Sequence, residues 1–405
     1  MKLVGSLKDE KKMLLFVYIL LFAMFGNLCI LKGEVDKRAI ILGVAMVILL
    51  GYSHFIIRKY FSDGDKHILL FIFLLSMIGI VMLYRIDPSV AIKQTVWFSV
   101  GMIAYVLIVV LLPDLKSFSK YKKLYLIGTL IFMSMAMVPG LGVEIYGAKN
   151  WVQIGPIGFQ PSEIGKLFLT AYLASTLKDY DGNFKSLIKP ALVVMYSLGF
   201  MVLQKDLGSV LIFFGISVTM LYLSTGKLKY IITTFLLSCV GAVFSYKLFS
   251  HVRVRVQIWK DPFEYANDQG FQVVQGLFAI ASGGLFGAGL GKGYPQFVPV
   301  VTTDYIFAII CEELGLIMGF GILIIFFLMF YRCMRSAIYV NDKFSQLLAV
   351  GFSAMFASQV LVIVGGVMNA IPLTGITLPF VSYGGTSMLT SFFAMGIIQK
   401  ISEEG

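Results

Sequence analysis

Asp304 stands where a long polar stretch gives way to an apolar run, in Thr303-Asp304-Tyr305-Ile306-Phe307, and Glu312-Glu313-Leu314-Gly315 follow inside that run. An ionisable group at or below a bilayer boundary is costly to keep, which makes it a functional candidate. A single positioned carboxylate suits general-base chemistry, the removal of a proton from a hydroxyl as it attacks. No Ser-His or Cys-His constellation is present to supply a covalent nucleophile.

Four further stretches carry polar chemistry. The first runs from Gly147-Ala148-Lys149-Asn150-Trp151 to Phe159-Gln160-Pro161-Ser162-Glu163-Ile164-Gly165-Lys166. Pro161 suits a helix start and Glu163 its first turn, while Glu163 and Lys166, three apart, can pair with each other. Trp151 can serve as an interfacial anchor. The second stretch, Gln204-Lys205-Asp206-Leu207-Gly208-Ser209, reads as an ordinary cap by Asp206 and also as a candidate binding turn. The third is the basic run His251-Val252-Arg253-Val254-Arg255-Val256-Gln257-Ile258-Trp259-Lys260. Arg253 and Arg255 suit bidentate recognition of phosphate oxygens, against the plainer reading of attraction to lipid headgroups. The fourth, from Asn369 to Ser387, contains Pro372, Pro379, Ser382 and Gly384-Gly385, which must interrupt a membrane helix. Such backbone is tolerated at membrane depth only where it is buried or lines a wet cavity. Together the four describe a polar cleft.

The elements that position these residues follow from composition. Of 405 residues 58% are hydrophobic and 14% charged, with a mean hydropathy of +0.88, against about 25% charged in soluble domains. The chain reads as an all-α polytopic membrane protein. Apolar runs long enough to cross about 30 Å of hydrocarbon fall near 13–31, 39–57, 67–84, 94–112, 123–140, 162–177, 187–203, 207–224, 229–249, 305–331, 345–369 and 380–399, about twelve helices. The net charge of +11 is gathered in alternate short loops, such as Arg58, Lys59 and Lys66, or Lys116, Lys120, Lys122 and Lys123. That pattern places both termini in the cytoplasm and excludes a nucleic-acid binder. The Lys32, Lys37 and Arg38 loop runs against it. On this topology 140–161, Gln204–Asp206, the large loop 250–304 and 370–379 open on the outer face.

The run from Met13 is too long for a cleavable signal and reads as a first membrane helix. Cys29, Cys239, Cys311 and Cys333 lack CxxC spacing, and His54, His67 and His251 lack metal-ligand spacing. The stretch Gly283–Gly293 lacks the spacing and the Ser/Thr of a phosphate-binding P-loop, and reads as a closely packed turn.

In this order, the blocks Gly-Ala-Lys-Asn-Trp with Phe-Gln-Pro-Ser-Glu-Ile-Gly-Lys, Gln-Lys-Asp-Leu-Gly-Ser, Arg-Val-Arg-Val-Gln, Gly-Gly-Leu-Phe-Gly-Ala-Gly-Leu, Thr-Asp-Tyr-Ile-Phe-Ala with Glu-Glu-Leu-Gly, and Leu-Pro-Phe-Val-Ser-Tyr-Gly-Gly-Thr-Ser are recognisable. The chain resembles the shape, elongation, division and sporulation (SEDS) family, the RodA/FtsW/SpoVE-type peptidoglycan glycosyltransferases, over about residues 67–405. Lys205 stands where that family usually has Pro, Thr303 where His commonly precedes the Asp, and two helices precede the usual ten. The resemblance divides the chain into an N-terminal two-helix extension, 1–66, expected to be accessory, and a glycosyltransferase core, 67–405.

The resemblance implies polymerisation of lipid II, the undecaprenyl-pyrophosphate disaccharide pentapeptide, into β(1→4) glycan at the outer face of the bacterial cytoplasmic membrane. Inverting single displacement would use Asp304 as base. Arg253, Arg255 and Lys166 would meet the pyrophosphate, with Glu163, Lys149, Trp151, Gln160, Asp206 and Ser382 as further substrate contacts. The one candidate cofactor is a divalent cation (Mg or Mn) at the pyrophosphate. The implied partners are lipid II, membrane lipids and a class B penicillin-binding protein transpeptidase. The rival reading is a lipid II flippase, in which Glu312 and Glu313 would suit alternating access or proton coupling.

Overall fold

The computed structural model describes residues 7–404 except 32, 34, 62, 63, 146 and 156, so Lys32 of the anomalous loop lies outside the described residues. Fourteen α-helices run through them: α1 (Leu7–Ile30), α2 (Lys37–Tyr60), α3 (Lys66–Ile86), α4 (Pro88–Leu111), α5 (Lys122–Ser134), α6 (Pro161–Leu177), α7 (Phe184–Leu203), α8 (Leu207–Thr225), α9 (Leu228–Leu248), α10 (Ser250–Lys260), α11 (Phe271–Gly283), α12 (Ile306–Tyr339), α13 (Lys343–Val367) and α14 (Gly385–Glu404). Nine of these are long and apolar enough to cross a membrane: α1 to α4, α7 to α9, α12 and α13. The other three expected spans coincide with α5 and α6, of 13 and 17 residues, and with α14, which carries Gln399, Lys400, Glu403 and Glu404.

Six of the described helices begin on an Asx side chain that accepts a backbone N–H: Asp36, Asp65, Asp87, Asn183, Asp206 and Asp342. These caps move several starts from where hydropathy alone puts them. Asp87 with Pro88 starts α4 six residues before the apolar run at 94, and α14 starts at Gly385, five residues after the apolar run that begins at 380.

Two departures concern the polar segments. A three-stranded antiparallel sheet, β1 (Gly142–Ile145), β2 (Ala148–Ile154) and β3 (Ile157–Phe159), interrupts the helices, with Trp151 opposite Val143 and Val152 opposite Phe159. The stretch 250–304, expected as a loop, contains α10 and α11. At about 1.5 Å per residue the 13 residues of α11 reach only about 20 Å, too short to register as a span.

The chain forms two compact units: Met1–Leu112 with Gln272–Tyr339 and Thr377–Gly405, and Pro113–Phe271 with Val340–Ile376. In the first, α3 is buried along nearly its whole length among α1, α2, α4 and α12. α14 lies on α4, where Gly101 admits the Phe392 ring, and Phe98 meets Phe73 and Phe392 edge to face at 5.0 and 5.4 Å. In the second, α13 is the buried helix, packed on α6 and α8 with Gly215 facing Ser358 and Gly351 facing Met220.

Candidate functional site

In the first unit Asp304 is half-buried at the end of a tight turn that leads into α12. The turn winds about one carbonyl, that of Val300, which accepts from the N–H groups of Thr303 and Asp304, both at 3.2 Å. Val300 takes φ 52°, a left-handed conformation that a β-branched residue adopts only under constraint. The constraint comes from the loop 377–384. The Ser382 hydroxyl donates to the Thr303 carbonyl, and the Tyr383 N–H to that of Thr302 at 2.9 Å. Ser382 Oγ in turn accepts from the Leu378 N–H at 2.9 Å. Gln94 of α4, buried, clamps the loop by donating to the Ser382 carbonyl at 2.9 Å and accepting from the Gly384 N–H at 3.2 Å. Asp304 is thus fixed through its backbone, and Ser382 acts on that backbone.

Glu312 and Glu313 have a different task. Gly315, at φ 83° and ψ 166°, breaks the α12 ladder. The freed carbonyls of Glu312 and Glu313 accept from Ala288 and Gly289, both at 2.9 Å, and the N–H groups of Leu316 and Ile317 donate to the carbonyls of Gly284 and Leu285 at 3.0 and 3.2 Å. The glycine-rich stretch therefore substitutes for one turn of helical hydrogen bonding, about 10–16 Å along α12 from its start. The Glu313 carboxylate accepts from Gly291 (2.8 Å) and Gly293 (3.2 Å), and Glu312 from Tyr294 (3.1 Å). Arg85 of α3 donates to the carbonyls of Gly291 (2.9 Å) and Gly293 (3.2 Å), and its Nε lies 3.2 Å from Glu313, a charge contact without hydrogen-bond alignment. Side chains on Gly287 or Gly293 would collide with Glu313. The irregular backbone groups named here, which membrane depth would strand, are met in this way.

In the second unit Asp206 gathers three segments. It caps α8 through the Ser209 N–H (3.1 Å) and accepts from Asn150 of β2 (3.1 Å) and from Gln160 (2.9 Å), at the start of α6. Buried and occupied on both oxygens, it orders the segment that carries Lys149 and Trp151, both half-buried on β2. Lys205 ends α7 at φ 61°, its N–H on the Val202 carbonyl and that of Asp206 on Met201, a Schellman closure normally made by glycine. Glu163 and Lys166 pair at 2.8 Å, and Lys166, almost wholly buried, also donates to Gln359 of α13 at 3.2 Å.

The basic helix α10 divides its two arginines. Arg253 is exposed, with one contact from its guanidinium to the Lys247 carbonyl at 3.1 Å. Arg255 donates to the Leu373 carbonyl at 2.9 Å, and Trp259 and Asn369 exchange two hydrogen bonds at 3.1 and 3.2 Å, which ties α10 to the segment after α13. Burial, then the nearby charges of Arg255 and Lys205, hold His251 below its ordinary value, so it is neutral at pH 7. Among the described residues no three His, Cys, Asp or Glu side chains converge to hold a metal ion.

Sequence reasoning missed Gln94, Arg85, Asn150, Gln359 and the Trp259–Asn369 pair. For Gln94 and Arg85 the one available signal was a polar residue on an otherwise apolar helix.

Fold and site together define a multi-pass membrane protein with an acid-bearing turn and a basic helix among its irregular segments. The FtsW/RodA/SpoVE profile, described as a cell cycle protein, matches residues 65–405. The chain is 36% identical over 387 residues to "Peptidoglycan glycosyltransferase RodA" of Mycobacterium tuberculosis, covering 89% of this chain and 82% of that protein. It is 32% identical to "Stage V sporulation protein E" of Bacillus subtilis, covering 84% and 97%. A solved chain from work on the structural coordination of polymerization and crosslinking by a peptidoglycan synthase complex shares the fold, with TM-score 0.73, 24% identity and coverage of 84% and 97%. Thermus thermophilus Rod shape determining protein RodA does so with TM-score 0.61, 24% identity and coverage of 84% and 96%. The chain belongs to the FtsW/RodA/SpoVE family.

Proposed function

We propose that this chain is a peptidoglycan glycosyltransferase that polymerises lipid II at the outer face of the cytoplasmic membrane, with both termini inside and a class B penicillin-binding protein as partner. The observation that supports the chemistry is the Asp304 turn at the start of α12, which is closed on the Val300 carbonyl and held at Thr302 and Thr303 by Tyr383 and Ser382 of a loop that Gln94 clamps. Preorganisation of this kind is what a general base needs, because a small misplacement costs rate steeply. Asp304 takes the proton of the acceptor GlcNAc 4-hydroxyl as that oxygen attacks the donor anomeric carbon. The glycosyl–phosphate bond breaks on the opposite side, and lipid pyrophosphate leaves with the electron pair. One displacement inverts the donor's α linkage to β.

Arg253 and Arg255 meet the charge that accumulates on the leaving pyrophosphate. Exposed Arg253 has most of its donors unengaged, whereas Arg255 also anchors the Leu373 segment. Lys166 is better suited to its buried ion pair than to a mobile lipid. A divalent cation would be held by pyrophosphate oxygens instead of by a protein cage. Against the flippase reading, Glu313 is engaged on both oxygens, and Glu312 on one, by the backbone of the glycine-rich stretch, a structural use of both acids.

The test is purified protein with lipid II, with and without candidate transpeptidases, read as glycan strands on a gel. Asp304→Asn should lower the rate by about 10²–10⁴ while folding and membrane insertion persist. Near-normal synthesis by a well-folded Asp304→Asn protein removes Asp304 from the mechanism. Lipid II translocation in vesicles without glycan under any pairing overturns the polymerase reading.

A further inference from the structure

The N-terminal hairpin α1–α2 lies outside the family match yet within the first compact unit. Its two helices pack on α3 and α4, and most of their outward faces are exposed apolar side chains such as Phe22 and Ile41. What distinguishes it is the connection between α1 and α2. The Asp36 N–H closes that turn on the Cys29 carbonyl at 3.0 Å. Asp36 Oδ1 caps α2, and Asp36 Oδ2 accepts the Tyr84 hydroxyl at 2.7 Å. The next residue of α3 is Arg85, which grips the Gly291 and Gly293 carbonyls and faces Glu313. Leu31, at the end of α1, lies directly on Gly291: a Cβ there would sit 2.7 Å from Leu31 Cδ1. Two neighbouring residues of one helix end therefore hold the hairpin turn and the glycine-rich stretch at once, and Leu31 closes the circuit.

The stretch so held is not a bystander. Gly291 takes φ 85° and its N–H lies on Glu313. Eleven residues after Gly293 the chain reaches Asp304, through Pro295–Phe297 and the Val300 turn. We propose that the outer turn of the hairpin, through Asp36–Tyr84 and Leu31–Gly291, is a positioning element for the glycine-rich stretch and, through it, for the Asp304 turn. This rests on the polymerase reading only for its second half. In an all-van-der-Waals packing the hairpin could slide or leave, but a charge-assisted hydrogen bond to Asp36 gives it one register on α3. The accessory hairpin that the sequence suggests becomes an internal brace, present in this chain in addition to the family core.

Two readouts separate the halves. Hydrogen exchange is followed at the amides of Gly289, Gly291 and Gly293 in the full-length protein in detergent, for wild type, Tyr84→Phe, Leu31→Ala and the lipid-facing control Phe22→Ala. Tyr84→Phe and Leu31→Ala should accelerate exchange at these amides by about tenfold, the scale of one charge-assisted hydrogen bond, while Phe22→Ala leaves it unchanged. Polymerisation of lipid II by Tyr84→Phe should show kcat reduced several-fold with KM little altered, since the turn and not the lipid contact is loosened. Unchanged exchange in both variants overturns the brace. Accelerated exchange with an unaltered kcat overturns its link to Asp304. The exchange result stands whether or not the wild type polymerises lipid II, so failure of the polymerase reading is seen separately, as a wild type that makes no glycan.

Discussion

The Ser382 hydroxyl reaches across 79 residues of sequence to the carbonyl of Thr303, the residue immediately before Asp304. It also receives the Leu378 N–H, so one side chain closes its own loop and fixes the acid-bearing turn. Ser382→Ala leaves a buried N–H and a half-buried carbonyl without their partner, a loss of about 1–3 kcal/mol. We expect lower thermal stability and a polymerisation rate reduced mainly in kcat. If glycan synthesis by Ser382→Ala loses only affinity for lipid II, Ser382 touches substrate and the positioning role is wrong.

The two arginines of α10 should separate. Arg253→Ala is expected to weaken use of lipid II with little change in melting temperature, since its one internal contact is exposed. Arg255→Ala should do both, because the Leu373 anchor goes with it. Arg253→Lys should rescue only partly, as an ammonium lacks the planar fork, and Lys260→Ala should be near neutral. Equal polymerisation by all the alanine variants would move the pyrophosphate site elsewhere.

Lys205 occupies a turn that the family's usual proline could not make. Proline has φ near −65° and no N–H, whereas Lys205 takes φ 61° and donates to Val202. Lys205→Pro should lower stability by about 3 kcal/mol or more and disturb the Asp206 node. Lys205→Gly, free of the left-handed penalty, should be neutral or stabilising by up to about 1 kcal/mol. A Lys205→Pro protein that melts like wild type would show that the turn is not the Schellman closure described.

His251 offers a pH test. Its value in the folded chain lies below the ordinary one, through burial and the charges of Arg255 and Lys205. On acidification the unfolded chain therefore takes up this proton first, and stability is lost as pH falls from about 6.5 toward the folded value. Melting temperatures between pH 7.5 and 5 should drop less steeply for His251→Asn than for wild type. Parallel curves would mean that His251 is not held neutral.

Apolar run length was enough to find the nine described helices that are long and apolar enough to cross a membrane, because the bilayer sets a minimum length for each. Asp304, Ser382 and the basic run stood out as candidates for a related reason: polarity is conspicuous against such a background. What stayed hidden was partnership. Gln94 and Ser382 are 288 residues apart, and Arg85 and Gly291 206, with no spacing rule to join them. Asp206 and Lys166 read as binding residues because their types suit a ligand, and only geometry shows Asp206 taken up by Asn150, Gln160 and Ser209, and Lys166 by Glu163 and Gln359. The short strands of the sheet and the 13 residues of α11 fell below the lengths at which a periodic signal is distinct.

The joint between Arg85, Glu313 and the two glycines also bears on how such a chain can change over time. Losing Arg85 alone would leave the buried Glu313 carboxylate without its cation, and losing Glu313 alone would leave the half-buried Arg85 guanidinium without its anion and two glycine amides without their acceptor, each a costly change. Replacing both with apolar residues of similar volume would be far milder. Descent through either single change is therefore nearly closed, and the two positions should be inherited, or lost, as a pair.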